Sequence, residues 1–248
     1  MIHSDKRESV KKLLRMSVKS DNRSDGIYVK EDVIYTGQKY YSLLDEDMST
    51  LAVDFYDIVY GNVLDEARVL ADNGRLVDKN FAGDTINSFN SIANLVPNAD
   101  KTVKEKTTQD KLEHLLVEYG SNYHSLANFW LIPMSLGRRG KKWNYYDSVD
   151  IFLNIIKNNY DKLRKFNSYF DKVGSYKSFC EIHYISSYEP ASINEILQMY
   201  REGKAEELIK RAINYMNIRA EEIIADEVMC EKLYDYFVGK DLIESKKV

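Results

Sequence analysis

The segment from Tyr123 to Pro133 holds the residues whose types and spacing best suit chemistry. His124 and Asn128 lie four residues apart in otherwise apolar surroundings. A neutral imidazole accepts a proton near pH 7, and a carboxamide can orient a reacting group. Upstream, His114 follows Glu113 directly and offers a second imidazole. The pattern makes His124, Asn128 and His114 candidate catalytic residues, with His124 as general base and Asn128 orienting it.

A strongly basic stretch follows that segment. Four cations fall within five residues, flanked by glycines and followed by a tryptophan: Arg138, Arg139, Lys141, Lys142 and Trp143. Basic charge beside an aromatic ring is typical of surfaces that contact phosphates and stack on bases. A metal-assisted phosphodiesterase would use one His to activate water, another group to hold Mg²⁺ or Mn²⁺, and these cations to offset phosphate charge. We therefore predict a nucleic-acid-binding loop here.

Each of these features also has a purely structural explanation. His124 and Asn128 fit a buried pair that satisfies backbone groups. His114 fits a surface or core-edge position on a helix, and the basic stretch fits a solvated loop. Asp84 and Thr85 fit a helix N-cap, although the amides at a helix start also attract anions. Both explanations stay open at this point.

The motif around His124 resembles a known pattern. His124-Ser125-Leu126-Ala127-Asn128-Phe129 is similar to the H-[ST]-[LI]-[AG]-N-F element of an uncharacterised bacterial family, whose pattern the stretch Gly83 to Phe89 also fits. More distantly, it resembles the C-terminal part of the HNH-like domain of GmrSD-type type IV restriction endonucleases. There the element follows an acidic-His-Ile/Leu motif, which Glu113-His114-Leu115 imitates. The resemblance implies a nuclease-like, antiviral defence protein with His114, His124 and Asn128 in its site.

The elements that position these residues are predicted to be helices. The chain has only 3 Pro and 11 Gly in 248 residues, and this scarcity of helix breakers favours long helices. We expect a mainly α fold, an irregular multi-helix bundle with at most a small β-hairpin near the N-terminus, at residues 27–36. One domain spans 1–248, with an N-terminal helix and the hairpin in 1–40 and a long helical region over 191–240.

Four local patterns predict where individual helices begin or end. Apolar spacing predicts an amphipathic helix from Ser4 to Val18, and Ser49 or Thr50 is placed to cap a helix that reaches Tyr60. A further helix is predicted from about residue 108, closed by Gly120. Ser192 with Glu195 forms a capping-box sequence at the start of the C-terminal region.

Composition and missing motifs narrow the classes of function. A net charge of −4 excludes bulk electrostatic binding of nucleic acid or lipid, so such binding needs a local patch. The sequence lacks the GxSxG, Walker A, GxGxxG, HExxH and CxxC motifs. Because no apolar run approaches the roughly 18 residues of a membrane span, and no secretory signal is seen, we expect a cytoplasmic protein with no membrane association.

Two functions from different classes remain. One is a prokaryotic or phage-related protein that acts on nucleic acid, a divergent metal-dependent nuclease. The alternative is a non-enzymatic interaction module whose tyrosine-rich surface binds another protein, with the His124 motif serving structure only. The position of His124 relative to polar partners and solvent distinguishes them.

Overall fold

A computed structural model describes residues 4–18, 46–65, 67, 81–87, 89, 92, 95, 103–133 and 148–243. The helices of these ranges are α1 (Ser4–Leu14), α2 (Thr50–Tyr60), α3 (Val103–Asn122), α4 (Val149–Phe166), α5 (Ser168–Val173), α6 (Tyr176–Ile182), α7 (Ile193–Arg201), α8 (Ala205–Ala225) and α9 (Glu227–Gly239). Two short 3-10 turns cover Glu46–Met48 and Leu126–Asn128, and two strands are β1 (Phe81–Thr85) and β2 (Phe129–Pro133). The predicted mainly α fold is confirmed.

Helix α8 is the central element of the described structure. It contacts α1, α3, α7 and α9, together with the 3-10 turn Leu126–Asn128. Its length of 21 residues and its apolar spacing let one helix present buried side chains to several neighbours. Leu208, Ile209, Met216 and Ile223 belong to that buried set. The turn that follows His124 is therefore packed against this central helix.

The described sheet joins segments that are far apart in sequence. Strand β1 pairs antiparallel with β2, with Phe81 opposite Pro133 and Thr85 opposite Phe129. All five residues of β2 are buried. Such an apolar run suits a strand covered on both faces, which here lies between helices. Strand β2 therefore continues directly from the His124 motif, and β1 pairs alongside it.

Several local predictions can be compared with this structure. The Ser49 cap and the capping box of Ser192 and Glu195 are confirmed. The N-terminal helix begins at Ser4 as predicted, but it ends at Leu14 and not at Val18, because the chain there turns to pair Ser17 with Ser125. Gly120 does not close its helix, because α3 continues to Asn122 and Gly120 packs in the core against the Phe89 ring. The predicted hairpin at 27–36 lies outside the described residues.

The prediction that Asp84 and Thr85 form a helix N-cap is wrong. Both residues lie in β1, paired with Trp130 and Phe129 of β2. The apolar residues that follow, Ile86 among them, are buried as their spacing indicated. A strand forms because the backbone of residues 81–85 finds hydrogen-bonding partners in β2, and this tertiary pairing overrides the local capping preference of Asp and Thr.

The tyrosines of the described ranges belong to the core and its edge. Nine are buried and the other four are partly buried, so none presents a fully exposed ring: Tyr56, Tyr60, Tyr119, Tyr123, Tyr160, Tyr169, Tyr188, Tyr200, Tyr215, Tyr176, Tyr184, Tyr234 and Tyr236. Several hydroxyls of this set are hydrogen-bonded within the protein, as Tyr119 Oη is to the carbonyl oxygen of Asn87 at 2.9 Å. The tyrosine-rich binding surface of the alternative function is not seen in the described residues.

None of the described helices combines the length and apolarity that a membrane crossing requires.

Candidate functional site

His124 lies between the end of α3 and the 3-10 turn Leu126–Asn128, close to a carboxylate. Its Nδ1 is 3.4 Å from Oε2 of Glu46, and the two side chains are 17% and 12% exposed. The imidazole stacks closely on the Tyr123 ring, with 3.7 Å between ring centroids. A carboxylate at one imidazole nitrogen fixes the orientation of the ring, which is the arrangement that a general base uses.

Glu46 reaches His124 because its 3-10 turn is fastened to β1 and α2. Thr85 Oγ1 donates a hydrogen bond to Asp47 Oδ2 at 3.1 Å. The Tyr56 hydroxyl donates to the carbonyl oxygen of Asp47 at 2.8 Å. Both bonds hold Asp47, the residue next to Glu46. They therefore keep the Glu46 carboxylate at the end of the sheet where β2 begins, close to His124.

Gly83 permits this close contact between β1 and the turn. A Cβ atom at position 83 would lie 2.0 Å from the Asp47 carbonyl oxygen and 2.5 Å from the Tyr56 hydroxyl oxygen. Such distances are far below van der Waals contact, so any side chain here would push the turn away from the strand. The glycine of the Gly83-Asp84-Thr85 stretch is explained by this approach.

Asn128 is fully buried and holds backbone, as its structural explanation predicted. Its Nδ2 donates to the carbonyl oxygens of Tyr123 at 2.6 Å and of Asn87 at 3.4 Å, and its Oδ1 accepts from Asn87 Nδ2 at 3.3 Å. Asn87 Oδ1 in turn accepts from the Val149 amide at 3.1 Å. Asn128 therefore fixes the backbone just before His124, and Glu46 supplies the carboxylate that faces the imidazole.

A buried arginine from α8 holds the turn that follows His124. Arg219 is 0% exposed. Its Nη1 donates to three carbonyl oxygens of that turn, those of Leu126 at 3.3 Å, Ala127 at 3.1 Å and Phe129 at 2.6 Å. Its Nε donates to the carbonyl oxygen of His183 at 3.0 Å. A guanidinium offers five donors in a rigid fork, so one side chain satisfies several converging carbonyls.

His183 completes this buried network as a neutral imidazole. The Tyr60 hydroxyl oxygen accepts from Arg219 Nη2 at 2.7 Å and lies 3.1 Å from His183 Nδ1. His183 Nε2 is hydrogen-bonded to the Tyr169 hydroxyl at 2.6 Å, so both ring nitrogens have a hydroxyl partner. Burial, reinforced by the nearby Arg219 charge, holds the pKa of His183 well below its ordinary value.

His114, a further sequence candidate, lies apart from this arrangement. His114 is exposed on α3. Eight residues separate it from Asn122 at the helix end, which corresponds to roughly 12 Å along the helix axis. The basic stretch Arg138, Arg139, Lys141, Lys142 and Trp143 lies outside the described residues. Glu113 and His114 therefore lie on a helix. The strand that pairs beside the His124 motif is β1, which contains Gly83, Asp84 and Thr85.

Metal-ligating side chains are not clustered in the described part of the chain. There, no three His, Cys, Asp or Glu residues are grouped closely enough to hold an ion. The two cysteines, Cys180 and Cys230, are free thiols. The requirement for Mg²⁺ or Mn²⁺ thus stays a prediction.

Three important residues were missed by sequence reasoning, and one of them left a signal. Arg219 lies three residues after Met216 and four before Ile223, on the apolar stripe of α8. A charge in such a stripe indicates a buried, multiply bonded side chain. Glu46 and His183 leave no comparable signal, because their partners come from distant segments.

No protein-family model, curated protein or solved structure matches this chain.

Proposed function

We propose that the protein is a nuclease-like hydrolase of nucleic acid, in which His124 acts as the general base and Glu46 orients and stabilises its imidazole. The contact of 3.4 Å between His124 Nδ1 and Glu46 Oε2 carries this proposal. Because Glu46 engages Nδ1, the second ring nitrogen, Nε2, is the atom that would take the proton of the attacking water or hydroxyl. The partial exposure of both side chains leaves them within reach of a substrate.

The rigidity of the surroundings supports a positioning role for the fold. The backbone before His124 is held by Asn128, and the turn after it is held by Arg219. The carboxylate is held through Asp47 by β1 and α2. A base must be fixed within hydrogen-bond reach of the proton it removes, and these contacts come from buried and partly buried groups.

Nucleic acid as the substrate is proposed from the sequence. The His124 motif resembles that of the HNH-like nuclease domain, and the basic stretch 138–143 supplies the charge that phosphates require. The residues that flank the segment 134–147 belong to elements of the site. Strand β2 ends at Pro133, and the Val149 amide at the start of α4 bonds to Asn87. Antiviral defence is the biological setting that the resemblance implies.

Cleavage of labelled DNA and RNA, single- and double-stranded, tests this function. The native protein is compared with His124→Ala, Glu46→Gln and the exposed-site control Glu189→Gln, each with Mg²⁺, with Mn²⁺ and with a chelator, after equal folding is established by circular dichroism. Loss of a general base lowers the rate by about 10²- to 10⁴-fold. We expect that loss for His124→Ala, a smaller one for Glu46→Gln and none for the control.

Two results would remove the proposal. The first is cleavage by folded His124→Ala at the native rate, and the second is no cleavage of any substrate by the native protein. The second result would favour the non-enzymatic interaction module. A His114→Ala variant in the same series tests whether the second imidazole takes part.

A further inference from the structure

An open groove of about 620 Å³ runs beside the His124 turn, between the C-terminal half of α1 and the end of α3. Its lining includes Lys11, Lys12, Arg15, Met16 and Asn122, with Glu8 at one edge. The chain after α1 is tied directly to the site. The Val18 amide donates to the carbonyl oxygen of His124 at 2.8 Å, and Ser17 Oγ donates to that of Ser121, also at 2.8 Å. The groove therefore adjoins the proposed general base.

Two cations of this groove are left available for a ligand. The other cations of α1 form ion pairs with carboxylates of α8 and α9: Lys6 with Glu231 at 3.7 Å, Arg7 with Glu227 at 3.0 Å, and Lys11 with Glu221. Lys12 and Arg15 have no ion-pair partner among the residues that the structure describes, and Arg15 Nε is buried without a hydrogen-bond partner there. A protein of net charge −4 thus has two uncommitted cations in this groove.

The chemistry of the groove matches a phosphate backbone. Arg15 directly follows α1, in the turn that ends the helix, and lies three residues after Lys12; both side chains line the groove. Arg binds phosphate oxygens as a fork and Lys as a point charge, which suits two phosphates of one strand. The described lining contains no aromatic ring on which a base would stack. Contacts of this kind position a strand without reading its sequence.

We infer that this groove between α1 and α3 binds the phosphate backbone of the nucleic-acid strand on which His124 acts. The inference rests on the proposed function and extends it, because it names the surface that brings the strand to the base. Asn122, which lines the groove, lies two residues before His124, and the Val18 amide binds the His124 carbonyl oxygen, so the groove lies close to the backbone that carries the base.

The test measures binding without cleavage. Fluorescence polarisation of labelled mixed-sequence single-stranded DNA and RNA is recorded over a range of salt concentrations in the His124→Ala background. The variant is Lys12→Gln with Arg15→Gln, since Gln retains helix propensity and removes only the charge. The matched control is Lys162→Gln with Lys165→Gln, two exposed cations with the same spacing on α4 and the same change in net charge.

We expect the groove variant to bind about tenfold more weakly at low salt, because two charge-assisted phosphate contacts are lost. The slope of log affinity against log salt should fall by about 1.4, the value for two phosphates of a single strand. The control should bind as the parent protein does. Unequal folding is checked by circular dichroism, and a single Lys12→Gln variant, at an exposed position, provides a milder version with half the change in slope.

Two results would overturn the groove inference. The first is equal affinity of the groove variant and the control for nucleic acid, and the second is that poly-glutamate binds this surface more tightly than nucleic acid does. In either case, cleavage by His124→Ala still decides the proposed function. Conversely, weaker binding by the groove variant alone upholds the groove, even if cleavage proves independent of His124.

Discussion

Replacement of Arg219 by Met should destabilise the protein strongly and without a change of fold class. The side chain is fully buried and donates to four carbonyl oxygens and the Tyr60 hydroxyl, at 2.6–3.3 Å. Leu126 O keeps one other donor, the Phe129 amide. Hydrogen bonds from charged donors contribute about 1.5–3 kcal/mol each, and an unsatisfied buried acceptor costs about 1–3 kcal/mol.

The net loss is smaller than the sum of these bonds, because the native state also bears the cost of burying the guanidinium. That desolvation cost is several kcal/mol, and Met does not incur it. Three short bonds, to Phe129 O, Tyr60 Oη and His183 O, set the scale of the gain. We therefore expect the free energy of unfolding to fall by about 3–5 kcal/mol, out of a total of about 5–15 kcal/mol for a typical protein.

Urea unfolding followed by circular dichroism measures this change. The control is Arg201→Met at the exposed end of α7, where we expect a change within about 0.5 kcal/mol. Arg219→Lys should lie between the two, because an ammonium cannot span five converging acceptors. If Arg219→Met lowers the midpoint no more than Arg201→Met does, the guanidinium does not hold the turn and the reasoning fails.

Two further predictions concern the same framework. Gly83→Ala should lower the free energy of unfolding by about 1–3 kcal/mol, because the added Cβ meets Asp47 and Tyr56. The control is Gly239→Ala, where a Cβ meets nothing, and it should be neutral or slightly stabilising by urea denaturation. Equal effects at both positions would contradict the contact at Gly83. His183 has a pKa lowered by burial, so the unfolded state binds the extra proton as pH falls below about 6.5. Stability should therefore drop by about 1.3 kcal/mol between about pH 7 and about pH 5.5. A His183→Gln variant, measured against its own value at neutral pH, should lose less over that interval; an equal loss would exclude His183 as the cause.

The parts of the fold that depend on local signals could be predicted from the sequence. The helix at residues 4–14 follows from the spacing of Val10, Leu13 and Leu14, which are all buried. The caps at Ser49 and Ser192 follow from side chains that reach amides three residues on. These interactions are settled within one or two helical turns, so sequence patterns record them.

The sheet and the site depend on partners that no local pattern contains. Strand β1 forms because residues 81–85 meet β2 across more than forty residues, and the same meeting brings Asp47 to Thr85. His124 was identified from its motif, but its partner Glu46 was not, because nothing near residue 46 indicates an imidazole. Asn128 was named for its type, and only the buried contacts with Tyr123 and Asn87 show that it holds backbone.

The bond between Arg219 and the turn after His124 has a consequence for synthesis. The two partners are separated by 93 residues in sequence, and Arg219 is separated from Tyr60 by 159. Contacts of such long range form late, since the intervening chain must be closed into a loop first. On the ribosome, the turn is made well before α8, so it waits without its anchor until most of the chain has emerged. A nascent or truncated chain that ends before residue 219 therefore carries His124 without the rigid setting around it.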